Sequence, residues 1–120
     1  MSSAQSPTDE TLDETFTVLR NARRRWTMHV LAEHGSLDRS ELADRVAEIE
    51  YDRPIEDISG DDRHVVYVSL QQTHLDALED ADVIRRDGNT ILKGDRFGEV
   101  YRWIQPEESF TERVKQALLR

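Results

Sequence analysis

A mainly α domain with a small β-hairpin, an α+β fold, follows from three features of this 120-residue chain. Apolar residues recur three and four positions apart in several separate stretches, the period of amphipathic helices. Two short strand-like runs, Val83-Ile84-Arg85-Arg86 and Thr90-Ile91-Leu92-Lys93, flank the tight-turn sequence Asp87-Gly88-Asn89. A chain of this length has room for one domain and one core.

Taken in order, residues 1–8 (MSSAQSPT) read as a disordered tail. Thr8 or Asp9 caps a first helix with Leu12, Phe16 and Leu19 as its buried stripe. Asn21 caps a second helix that carries Ala22, Trp26 and Val30 on one side and stops at Gly35. Asp38 to Glu41 form an Asp-headed capping box for a third helix, with Leu42, Ala43, Val46 and Ile49 facing inward. Residues 51–61, with Pro54 and Gly60, read as a loop. A long helix then runs from Ser59 or Asp61 to Glu79 or Asp80, and the hairpin follows it. Phe97, Val100, Tyr101 and Ile104 mark a further helix broken by Pro106, and Phe110, Val114 and Leu118 mark a last amphipathic segment. Three helices, a long helix and a hairpin are the layout of a winged helix-turn-helix. The expected organisation is a tail over 1–8, a winged helix-turn-helix over 9–95 and C-terminal dimerisation helices over 96–120.

The chain is acidic: 25 Asp and Glu stand against 16 Lys and Arg, a net charge of -9. Lys93 and Lys115 are its only lysines. Abundant carboxylates with scarce lysine suit a cytoplasm at molar salt, where the screening length has fallen to about 3 Å. Such a protein cannot lean on phosphate neutralisation for DNA affinity, so base-edge contacts, shape and a few placed arginines must carry more of it. With no cysteine, disulfides, thiolate metal sites and thiol redox sensing are excluded. No apolar run reaches the roughly 18 residues of a membrane span, and the N-terminus has no secretory apolar core. The expected location is the cytoplasm.

The segment from His74 through Leu75, Leu78 and Ala81 to Val83-Ile84 resembles the end of the recognition helix in ArsR-like winged-helix regulators, where it runs straight into the wing. Asp82 stands where that pattern has glycine, and Asp tolerates a left-handed backbone. Leu19 to Arg25 is similar to the entry of small haloarchaeal winged-helix proteins, and Leu37 to Ala43 to a first helix-turn-helix helix. Together these stretches cover roughly residues 10–95. The resemblance implies a halophilic, archaeal transcription regulator that binds double-stranded DNA at a pseudo-palindromic site as a homodimer.

On a helical wheel, Tyr67, Val68, Leu70, Gln71, His74, Leu75 and Leu78 share a core face, and Val65, Ser69, Gln72, Thr73 and Asp76 lie opposite. Ser69, Gln72 and Thr73 are the candidate base-reading residues, Gln being suited to adenine. Candidates for backbone or minor-groove contact are Arg85, Arg86, Lys93, Arg96, Arg39, Ser40 and Arg24. Strand-edge cations also discourage edge-to-edge pairing, so the hairpin bases serve either purpose. Within the run Arg23-Arg24-Arg25, one arginine is expected to pair with a carboxylate. The candidate dimer interface comprises Phe97, Tyr101, Ile104, Phe110, Val114 and Leu118.

Nothing in the sequence favours an enzyme. The four histidines make no HExxH motif, no glycine-rich phosphate loop is present, and no nucleophile-base spacing stands out. No metal, cofactor, small-molecule ligand or membrane is expected. The competing expectation is a winged-helix module that binds protein without binding DNA.

Overall fold

Cap chemistry sets where the helices begin. The structure, a computed structural model, describes residues 9–104. Helix α1 spans Asp9–Leu19. The Asn21 side chain accepts the Arg23 N–H and starts α2, Ala22–His34, which Gly35 ends with a positive φ of 82°. Strand β1, Ser36–Asp38, leads directly into α3, Arg39–Tyr51, where Asp38 accepts the Ser40 N–H. After a short 3-10 turn at Ile55–Asp57, Ser59 accepts the Asp62 N–H and opens α4, Gly60–Ser69. A π-helical turn at Leu70–His74 passes without a break into α5, Leu75–Asp80. Strands β2, Ile84–Asp87, and β3, Thr90–Lys93, form the hairpin, and α6, Phe97–Tyr101, follows.

The domain is mainly helical with a small three-stranded antiparallel sheet in the order β1-β3-β2. Leu37 pairs with Ile91 and Arg86 with the same residue from the other side. The third strand was not expected. It is three residues long, too short to show alternation, and the hairpin supplies its partner.

The core collects Met28, Val30 and Leu31 of α2, Leu42 and Val46 of α3, Val66, Leu70, Leu75 and Leu78 of the long helix, and Ile84 and Ile91 of the hairpin. Two expectations are corrected. In α1, Thr15 and Val18 are buried while Phe16 is 49% exposed, because α1 meets α2 along a different edge from the expected stripe. Helix α6 stops at Tyr101, short of the expected Ile104. Trp103 and Ile104 close tighter bonds to Val100 and Tyr101, three residues back, ahead of Pro106. The expected N-terminal tail and the segment carrying Phe110, Val114 and Leu118 lie outside the described residues.

Candidate functional site

The long helix, residues 60–80, exists because Val66, Leu70, His74, Leu75 and Leu78 bury one side of it. In the π turn the Leu75 N–H reaches back five residues to the Leu70 carbonyl. That inserts one residue into the helical repeat and leaves Gln72 and Thr73 together in solvent. Asp76 is exposed beyond them and Val65 before them, while Ser69 is half-buried at the edge of the strip.

The inner side of this turn is tied down by polar contacts. His74 is buried, and its Nδ1 accepts from Arg24 Nε at 3.1 Å. Burial, then the charges of Arg24 and Arg23, lower the His74 pKa and keep the ring a neutral acceptor. Gln71 Oε1 accepts from Arg39 Nη1 at 3.1 Å, which anchors the start of α3 to the π turn. Ser40 is exposed on the same first turn of α3.

Arg86 joins the hairpin to the helix. Its Nη2 donates to Asp76 at 2.7 Å, and Nε and Nη2 both donate to Glu79. These bonds raise the Arg86 pKa and lower that of Glu79. Arg85 on the neighbouring position is exposed and pairs with exposed Asp95. Lys93 is exposed, its ammonium 5.2 Å from the Phe97 ring centroid. Arg96 lies away from the hairpin surface. It binds Glu14 and Thr15 of α1 and Glu99 of α6, fastening the two helices together.

The structure therefore brings together Gln72, Thr73, Asp76 and Arg86, with Ser69 at the margin. It gives Arg96 and Arg24 partners within the fold, away from the strip. In the arginine run, Arg23 is the member that pairs with a carboxylate, holding Glu50 at 2.7 and 2.8 Å. Of the candidate dimer residues, Phe97 and Ile104 are buried in the protomer's own core. Tyr101 stacks on Phe97 and bonds His29 Nδ1 at 2.9 Å. Among the described residues the exposed aromatics are instead Phe16 and Trp103, which meet edge-to-face with ring centroids 5.4 Å apart. The helical period alone could not have found Phe16, since it placed that residue on the buried stripe.

Among the described residues no three His, Asp or Glu side chains are grouped to hold a metal ion. No helix among them is long and apolar enough to cross a membrane.

Fold and surface define a mainly helical α+β domain in which a long helix and a hairpin share one face. The chain belongs to the family described as a domain of unknown function, DUF7344, whose model matches residues 16–92. That span takes in the last turn of α1 and everything through Leu92 of β3. No curated protein and no solved structure matches the chain.

Proposed function

We propose that this chain is a winged helix-turn-helix regulator that binds double-stranded DNA sequence-specifically as a homodimer in a high-salt cytoplasm. One observation carries this: the outward strip with Gln72 and Thr73 stands on the helix that Arg86 clamps to the β2–β3 hairpin. Helix and hairpin then present one stiff surface. In a major groove, Gln72 has the donor and acceptor for adenine, Thr73 has a hydroxyl, and exposed Val65 suits a thymine methyl. The hairpin would lie along the backbone with Arg85 and Lys93. The Arg85–Asp95 pair is exposed, and exposed ion pairs are worth only about 1 kcal/mol or less, so a phosphate displaces it readily, while the exposed Lys93 ammonium rests on the Phe97 ring. Exposed Phe16 and Trp103 offer apolar area for a second copy, and two-fold symmetry would place two long helices one DNA turn apart.

Fluorescence anisotropy with fragments of the source genome, in KCl from about 0.5 M upward, tests the proposal. The expected result is tight binding to some fragments only, weakened about tenfold or more by Gln72→Ala. No binding to any fragment would end it.

A second function has its own supporting observation. Exposed Asp61, Asp62, Asp76 and Asp80 border the strip, and Arg86 is neutralised by carboxylates. This acidic face suits a basic protein partner better than phosphate. Capture of such a partner that Thr73→Arg abolishes, with no DNA bound, would favour it.

A further inference from the structure

We infer that the corner between α1 and α2 is an oxyanion site that takes a phosphate group and is linked to the π turn of the long helix. Thr17, Arg20, Asn21 and Arg24 line an open recess of about 270 Å³ there. Among the described residues, Arg23, Arg45, Arg63, Arg85, Arg86 and Arg96 all pair with carboxylates. Arg25 and Arg39 bond neutral oxygens instead, those of Leu19 and Gln71. No carboxylate among the described residues lines this recess, and two arginines do.

Among the described residues, the Arg24 guanidinium has neutral acceptors, His74 Nδ1 at 3.1 Å and the Thr17 carbonyl at 3.4 Å. Burial and then the like charge of Arg20 both work against its charged form. A guanidinium is a planar fork of five donors, of which these two bonds occupy a part. Asn21 commits its carbonyl oxygen to the Arg23 N–H at 2.9 Å, which leaves its amino group as the remaining polar end. Two cations and an amide are donors for one tetrahedral anion. A phosphate would relieve the repulsion between Arg20 and Arg24 and make charge-assisted bonds to both. A phosphate monoester and a DNA backbone diester present this same chemistry.

The recess also reaches the proposed DNA surface. Arg24 donates to His74, and His74 closes the π turn that carries Gln72 and Thr73. An anion that draws Arg24 outward loosens the bond holding that turn. The site itself stands whether or not Gln72 and Thr73 meet DNA.

The test is an NMR titration of the full chain with inorganic phosphate, with KCl adjusted to hold ionic strength fixed. The Nε–H signals of Arg20 and Arg24 and the His74 ring are followed. Saturable shifts of all three are expected, with half-saturation on the order of 1 mM. Arg20→Gln and Arg24→Gln should each raise that concentration about tenfold, Arg24→Lys by less, and Arg85→Gln should leave it unchanged. Far-UV circular dichroism shows that each variant is folded, and Arg20, being exposed, is the safer of the two. Shifts that never saturate or spread equally over all arginines would overturn the site, as would an Arg20→Gln protein that binds phosphate normally. A DNA duplex that moves the Arg24 Nε–H and is competed off by phosphate would identify the backbone as the source. A duplex that binds without moving it would assign the site to a free phosphate ligand.

Discussion

Gly94 sits where the chain leaving the hairpin crosses the chain entering it. Its N–H donates to the Val83 carbonyl at 2.8 Å, and a Cβ there would stand 2.5 Å from the Asp82 carbonyl oxygen and 2.9 Å from the Ile84 nitrogen. Those neighbours are backbone and cannot swing aside. Gly94→Ala should therefore cost about 3 kcal/mol in urea unfolding, and a loss below about 1 kcal/mol would contradict this packing. His29 gives a second expectation. It is 4% exposed, and burial followed by the charge of Arg25 pushes its pKa down to about 4 from 6.5. The folded ring stays neutral while the unfolded ring protonates, so stability is full above pH 6.5 and declines as pH falls from there toward 4. The loss is up to about 3 kcal/mol, and His29→Gln should flatten that part of the pH profile. An unchanged profile would mean that other groups set it. Residues of this kind differ in how legible they were. Asn21, Asp38 and Ser59 were readable as caps, and Asp82 as a residue able to take its φ of 65°, because these are local matters. Gly94 and buried His29 depend on which distant segments meet, and sequence spacing does not report that.

The long helix shows both the reach and the failure of periodicity. Its length and its buried Leu70, His74, Leu75 and Leu78 follow from a period of 3.6. The π turn does not, and Val66 is buried while Tyr67 and Val68, expected on the core face, are only half-buried. The clamp between hairpin and helix was likewise hidden, because Arg86 read as a phosphate ligand until Asp76 and Glu79 were placed beside it. Arg86→Ala should lower stability by about 1 kcal/mol, these partners being partly exposed. Amide exchange should quicken in residues 84–93 and stay slow in α2 and α3; an even change across the domain would contradict a local clamp. In α3, Glu48 is 2% exposed and holds Arg45 at 2.8 Å and the Ile55 N–H at 2.8 Å. Helical spacing offered no reason to expect a buried glutamate. Glu48→Ala leaves Arg45 with exposed Glu41 alone and frees the 3-10 turn, with an expected loss of about 3 kcal/mol in chemical unfolding. A loss under 1 kcal/mol would show that the pair contributes little net stability.

Across the protein, charge governs behaviour. A net charge of -9 repels itself at low salt, and added KCl screens that repulsion over a length that falls from about 10 Å at 0.1 M to about 3 Å at 1 M. The urea midpoint should rise over this range, and a midpoint that falls would mean the ion pairs outweigh the repulsion. Six of the described arginines pair with carboxylates of the chain itself, so DNA binding would rest on few phosphate contacts and weaken only gently with salt. The most direct check on the helix-and-hairpin surface is hydrogen exchange of the full chain with and without a bound DNA fragment. New protection should concentrate at Val65 to Asp76 and at Arg85 to Lys93, with little change in α2. Protection confined to other segments, or none at all on a fragment that binds, would contradict it.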